Sequence, residues 1–369
     1  MTSRTFAWTA SAAVLALGLA ACGGSDDTDT DAGSTGGSTT GSANLSGDLN
    51  GAGSSAQTAA MQAWAANFQD ANPQATVNYD PVGSGGGREQ FIAGGIDFAG
   101  SDSALSDDEI TQADTRCGGA GKTVEVPVYI SPIAVIYNLD GVDNLQLSPD
   151  TLAQIFDQKI TTWNDPAIAE DNPDADLPDT AISPVNRSDK SGTTTNFTQF
   201  LAGAVPDSWP HDASDTWPVQ GGEAANGTSG VVAAVKGGAG TIGYADASQA
   251  GELGIAAIKI GDDYVAPSAE GAAAAVDEAT QVEGRGDADL AYTIKRDSTT
   301  AGVYPIVLLS YQIACAQYDD AAKASLVKAF LTYVVSADGQ AAAASNAGSA
   351  PISDTLREAA TTAINTIGT

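Results

Sequence analysis

A turn rich in Gly and Ser recurs in this chain between short apolar runs and amphipathic stretches, and it constrains the fold more than any other feature. It appears as Gly51-Ala52-Gly53-Ser54-Ser55, Gly83-Ser84-Gly85-Gly86-Gly87, Phe98-Ala99-Gly100-Ser101-Asp102 and Arg187-Ser188-Asp189-Lys190-Ser191-Gly192-Thr193. Around these turns, Thr76 to Tyr79, Ile96 to Ala99, Val124 to Tyr137, Thr241 to Tyr244 and Ile306 to Ala316 read as strands. Met61, Trp64 and Phe68 form a helical stripe. A short helix is expected over Arg88 to Ala93, and Ser106-Asp107-Asp108-Glu109 is a capping box for another. Ser148-Pro149-Asp150 opens a helix carrying Leu152, Ile155 and Phe156, with Pro at the favoured first position. Val231 to Val235 is helical, and Leu326, Phe330, Tyr333 and Val334 mark a terminal helix, whereas Glu270 to Ala301 is too polar and Gly-rich to place. Alternating strands and helices predict an α/β fold with parallel or mixed sheets covered on both faces.

The last of the four turns carries the sharpest chemical signal. Phe197, Phe200 and Leu201 give the following helix one buried stripe, which puts Ser191, Gly192 and Thr193 on its first turn. A helix start presents backbone N–H groups with no internal partner and a partial positive charge, and Gly192 lets an anion approach them. Arg187 adds a planar, permanent cation with paired donors. The same residues also serve as ordinary helix caps, and a Gly run such as 83–87 can equally be a flexible turn.

The chain begins with Arg4, an apolar run from Ala12 to Leu19, and Leu19-Ala20-Ala21-Cys22-Gly23. This reads as a secretory signal over residues 1–22, similar to a bacterial lipobox in which Cys22 becomes the lipid-bearing N-terminus. The apolar run is too short to span a bilayer. Residues 23–44 are Gly, Ser, Thr and Asp with almost nothing apolar, and are expected to form a disordered linker. Cys117 and Cys315 remain; outside the cytoplasm they would form a disulfide, the alternative being two separate thiols.

A formal net charge of -31 over 369 residues excludes any sequence-independent grip on nucleic acid or on anionic membranes. Other chemistries lack their parts. Gly121-Lys122-Thr123 looks like the end of a phosphate loop, but position 116, where the motif needs Gly, is Arg. The one histidine, His211, has no nucleophile elbow nearby, and one His without a cysteine cluster offers no transition-metal site. No cofactor, metal or enzymatic activity is expected.

Taken together and in order, the four turns resemble those of the phosphate-binding proteins of ABC transporters. Ile155-Phe156-Asp157-Gln158-Lys159-Ile160, Trp163-Asn164-Asp165-Pro166-Ala167-Ile168-Ala169, Gly237 to Tyr244 and Tyr304-Pro305-Ile306 fit that family as well, and the likeness runs from about Leu45 to Asn346. The resemblance implies a two-lobed periplasmic-binding-protein fold of type II, with two mixed sheets flanked by helices and joined by two hinge strands. Lobe one would comprise 45–138 and 306–369, and lobe two 139–305. Cys117 and Cys315 then fall in one lobe, which favours the disulfide.

The resemblance also implies the roles of particular residues. Ser55, Ala56, Ser84, Asp102, Arg187, Ser191, Gly192 and Thr193 match positions that contact phosphate, and Asp189 matches the carboxylate that orients the arginine. Where the family often carries an aromatic, this chain has Ala56, whose N–H still donates but whose loss of apolar cover suggests a wetter pocket. Asp102 would accept the proton that phosphate keeps near neutral pH and would repel sulfate, which has none. The implied protein is a monomeric, lipid-anchored receptor on the outer face of the bacterial cell membrane. It would capture inorganic phosphate for a transporter permease and ATPase complex. The alternatives are a scavenging or signalling phosphate-binding lipoprotein and a receptor for another tetrahedral oxyanion.

Overall fold

The computed structural model describes residues 45–369; the expected signal segment, Cys22 and the linker lie outside the described residues. The first half of the chain alternates strand and helix: β1 (Ser46–Gly53), α1 (Thr58–Ala71), β2 (Gln74–Asp80), α2 (Ser84–Ile92), β3 (Phe98–Ser101), α3 (Asp107–Arg116) and the long β4 (Thr123–Asn138). Then come β5 (Gln146–Leu147), α4 (Pro149–Phe156), α5 (Pro166–Asp171), β6 (Ser183–Arg187), α6 (Gly192–Ala204), β7 (Glu223–Ala225), α7 (Gly227–Gly237) and β8 (Thr241–Asp246). Short strands β9 (Gly254–Ile255), β10 (Ala257–Ile260) and β11 (Asp263–Val265) precede α8 (Ala269–Asp277), β12 (Thr280–Gln281) and β13 (Tyr292–Thr293). The chain closes with β14 (Val307–Cys315), α9 (Ala321–Val335), α10 (Ala337–Ala347) and α11 (Asp354–Ile364).

The expected two sheets are joined into one mixed path, β2-β1-β3-β14-β4-β8-β6-β7, with β9 also on β4. The joint is β4 itself. Its first part pairs antiparallel with β14 from Thr123 to Pro132, and its last six residues, Ile133 to Asn138, pair with β8. Val, Ile and Tyr fill this strand and almost all of it is buried, which is why it reads as a continuous apolar run. Two large apolar clusters flank it. One gathers Leu49, Trp64, Phe68, Phe98, Tyr129 and Phe330; the other gathers Ile133, Tyr137, Phe156, Trp163, Phe197 and Tyr244.

Several local expectations are met with their caps. Ser106 and Glu109 form both halves of the capping box on α3, and Ser148 caps α4 with Pro149 inside its first turn. Two readings are corrected, the start of the second helix and the place of the terminal one. The helix expected over 88–93 begins at Ser84, so the Gly run is its first turn. Helix propensity disfavours Gly there, but packing requires it: a Cβ on Gly87 would lie 2.4 Å from the Gly53 Cα, and one on Gly85 2.4 Å from the Lys190 Cβ. The unplaced region contains α8, β12 and β13, and two more helices, α10 and α11, follow the one expected to be terminal. Ala272, Ala275, Val276, Leu290 and Val303, assigned by the sequence reading to lobe two, pack in the cluster of Leu49 and Phe330.

Cys117 and Cys315 are joined in a disulfide across 198 residues, tying the end of α3 to the end of β14. Where β4 passes between its two partners, Tyr129 Oη donates to Asp246 Oδ2 at 3.1 Å, and the Ser248 N–H donates to Oδ1 at 2.9 Å. Burial pushes the Asp246 carboxyl up from 3.8 to about 6, against the pull of the Ser248 and Tyr129 donors. Between these values the folded chain holds a proton that the unfolded chain releases, so this group's contribution to stability is present at low pH and lost as pH rises through about 6. Asp246→Asn should therefore raise the melting midpoint at pH 7.5, by about 2–4 °C for each kcal/mol recovered. The gain should vanish near pH 4. Calorimetry at the two pH values checks this, and an equal shift at both would refute it.

Candidate functional site

The starts of α2 and α6 meet at one buried carboxylate, Asp102, just past β3, and the starts of α1 and α7 meet each other through Ser55 and Thr228. Asp102 is 2% exposed. Its Oδ2 accepts from Ser84 Oγ at 3.3 Å and from Thr193 Oγ1 at 3.2 Å, and its Oδ1 accepts from Ser310 Oγ at 2.9 Å. The two Oδ2 contacts are long for O–H···O bonds, so that oxygen can still take a strong donor. The backbone is pinned too: the Asp102 N–H donates to Ser84 Oγ at 3.1 Å, and Asn196 Nδ2 donates to the Asp102 carbonyl at 2.6 Å.

Opposite lies the start of α6. Ser191 is the N-cap and its Oγ accepts from the Thr194 N–H, which leaves the Gly192 and Thr193 N–H groups without a partner inside the helix. Gly192 is one of the places where the two sides approach closely: a Cβ there would lie 2.8 Å from the Asp102 Cβ and 2.8 Å from Ser84 Oγ. Arg187, at the end of β6 and 2% exposed in its side chain, is clamped by Asp189 through Nε at 2.8 Å and through Nη2. Its Nη1 has no bonded partner among the described residues. Asp189 Oδ1 accepts the Gly227 N–H at 3.0 Å as well. Burial alone would raise the Asp189 carboxyl, but the hydrogen bonds and charge of Arg187, with the Gly227 N–H, outweigh it and hold the group below its ordinary value.

Ser55, before α1, shares a hydroxyl contact of 3.0 Å with Thr228 and accepts the Thr228 N–H at 3.0 Å. Ala56 is fully buried in the cluster that also holds Ile133, Phe197 and Tyr244, and its N–H donates to Ser54 Oγ at 3.1 Å. The Ala56 N–H, expected as a free donor to the ligand, is instead taken by Ser54. Tyr244 backs the site, accepting the Arg187 N–H at 3.3 Å and sharing a 2.7 Å contact with Thr194. Burial pushes its hydroxyl up to about 12, so it stays protonated at neutral pH.

Of the sequence-predicted positions, Ser84, Asp102, Gly192 and Thr193 gather at the carboxylate, while Ser55 meets Thr228, next to the Gly227 that binds Asp189 and so reaches Arg187. Gly227, Thr228 and Ser310 were missed. Gly227-Thr228-Ser229-Gly230 carries the same small-residue helix-start signal as the other turns and could have been found, whereas Ser310 sits inside an apolar strand that gives no sign of it. The rejected nucleotide loop is a turn whose Gly121, Lys122 and Thr123 N–H groups all donate to the Asp114 carboxylate. His211 pairs with Asp157 at 2.7 Å, away from Asp102. Among the described residues no group of His, Cys, Asp and Glu is placed to hold a metal ion, and no helix is long and apolar enough to cross a membrane.

The α/β fold, with two apolar bodies joined through shared strands and small-residue loops meeting between them, is that of two-lobed periplasmic binding proteins. A family model described as "PBP superfamily domain" matches residues 38–338, and the chain belongs to that superfamily. It is 40% identical over 363 residues to the phosphate-binding protein PstS 3 of Mycobacterium tuberculosis, covering 95% of each chain. It is 37% identical over 319 residues to the PstS 3 phosphate-binding protein of Mycobacterium leprae, covering 85% of each. Among solved structures it resembles a high-affinity periplasmic phosphate-binding protein, PfluDING, bound with phosphate, with a TM-score of 0.70 and 25% identity over 88% of this chain and 99% of that one.

Proposed function

We propose that this protein captures inorganic phosphate outside the cytoplasm and delivers it to the permease of an ABC importer, without catalysing a reaction. The observation that carries this reading is the pairing of an anion cradle with a carboxylate. The N–H groups at the starts of α2 and α6 and the guanidinium of Arg187 attract a tetrahedral oxyanion. Asp102 Oδ2 then demands that one ligand oxygen carry a proton. Ser55, Ser84, Ser191, Gly192, Thr193 and Arg187 are assigned as donors, Asp102 as acceptor and Asp189 as the residue that orients Arg187, while Ala56 lines the site with its N–H held by Ser54. Lobe two would begin within β4 at about Ile133, where that strand leaves β14 for β8, so that closing on phosphate bends β4 and creates the face that a permease reads. Lipidation at Cys22 would hold the body at the membrane.

The test is calorimetric titration of the lipid-free body, stripped of bound anion by unfolding and refolding, against phosphate and then sulfate. One-to-one heat with phosphate and none with sulfate is expected; silence toward both would remove the reading. The formal charge of -31 sets a second expectation. The cradle works against an unfavourable global field that salt screens beyond about 8 Å at physiological ionic strength, so the association rate for phosphate should rise as salt is added. A falling rate in stopped-flow measurements would mean that the local cations dominate the approach.

A further inference from the structure

We propose that Arg88 and Asp215 form the latch that keeps the two sides of the site closed and sets how long phosphate stays bound. The proposal rests on the phosphate-receptor reading. Neither residue is among the assigned ligand contacts. Arg88 lies on α2, one turn beyond Ser84, and is 5% exposed. Its guanidinium is committed on the Asp102 side: Nε donates to Glu109 Oε1 at 2.9 Å, and Nη1 donates to Ser101 Oγ and Ser103 Oγ, both at 3.1 Å. Those two serines flank Asp102. The remaining Nη2 reaches across to Asp215 Oδ2 at 3.1 Å.

Asp215 belongs to the other side. Its carbonyl accepts the Ser191 N–H at 2.8 Å, so the residue that receives Arg88 also positions the N-cap of α6. One ion pair therefore ties the carboxylate side of the cradle to its helix-start side. Asp215 Oδ2 also sits over Gly85, where a Cβ would lie 3.3 Å away. A main-chain bond from the Gly85 N–H to the Lys190 carbonyl, 3.1 Å, runs alongside.

A second ion pair makes the same crossing and provides an internal contrast. Lys190 Nζ meets Glu89 Oε1 at 2.5 Å, but both side chains are more than half exposed. In the Arg88 pair the side chains are 6% and 27% exposed. An exposed pair gains little over its hydrated ions, whereas a desolvated pair resists separation and acts mainly on dissociation. The latch is expected in the Arg88 pair and not in the Lys190 pair.

Asp215→Ala isolates the crossing, because Arg88 keeps Glu109 and both serines and so is not left unpaired. Stopped-flow release of phosphate from the full folded body should be about tenfold faster or more in Asp215→Ala, with the association rate little changed and sulfate still rejected. Asp215→Glu should restore slow release, and Glu89→Gln should release at the wild-type rate. Melting of the ligand-free variants reports any general loss of fold. Release at the wild-type rate from Asp215→Ala overturns the latch while leaving the receptor reading intact. Equal acceleration in Glu89→Gln overturns it in favour of diffuse electrostatics. A wild-type chain that takes up no phosphate overturns the receptor reading and the latch together.

Discussion

Asp102→Asn should admit sulfate. In the native chain Oδ2 meets only two long hydroxyl contacts, from Ser84 at 3.3 Å and Thr193 at 3.2 Å, so a phosphate hydroxyl can donate to it. A sulfate oxygen in the same place would face a buried carboxylate with no proton between them, at a cost of several kcal/mol. An amide of the same shape reverses that preference, because its NH2 in the place of Oδ2 can donate to an unprotonated oxygen while its carbonyl in the place of Oδ1 continues to accept from Ser310. Phosphate affinity should fall about ten- to a hundredfold, the loss of one charge-assisted bond of about 1.5–3 kcal/mol, while sulfate heat appears in the calorimeter. The two anions weakening together would show that Asp102 serves the fold and not the choice of ligand.

Replacing both Cys117 and Cys315 by Ala should cause the larger loss of stability. The bond closes a span of 198 residues, and the chain-entropy model gives such a closure about 5 kcal/mol of destabilisation of the unfolded state. That corresponds to a melting midpoint lower by roughly 10 °C. The cysteines pack with Phe91, Ile96, Ala113 and Ile313, away from the Arg187 pair, so phosphate affinity in the folded variant should stay within about twofold, since distant sites seldom couple strongly. An unchanged midpoint in scanning calorimetry would mean that residual structure already restrains the unfolded chain without the bond.

The sequence made the helix starts legible because each announces itself locally. Ser106 with Glu109, Ser148 with Pro149, and Ser191 with Gly192 are all written within four residues, and the structure caps its helices with them. The assembly of the site was less legible. Ser310 reaches Asp102 across 208 residues from the middle of an apolar strand, and Ser54 takes the Ala56 N–H through a turn that composition does not specify. The Gly run before Arg88 was read as a lead-in because Gly opposes helix in isolation. Its demand for close packing is visible only once β1 and Lys190 are opposite it. The segment from α8 to β13 hid for the opposite reason: its helix is built of Ala and Gly, with no large apolar stripe to mark a period.

The glycines also bear on how such a site can change. At Gly53, Gly83, Gly85, Gly87 and Gly192 a Cβ would come within 3 Å of atoms already in place, most of them main chain. A pocket walled by side chains can be recut by single replacements, trading one volume for another. This one is cast largely in backbone, so its size is a property of how whole helices dock, and a larger or smaller guest would require several elements to shift at once. Point mutation is left with the inward-facing polar groups, and of those Asp102 is the one whose exchange is expected to change which anion the site accepts. Drift toward a new anion should therefore pass through that carboxylate before it reaches the walls.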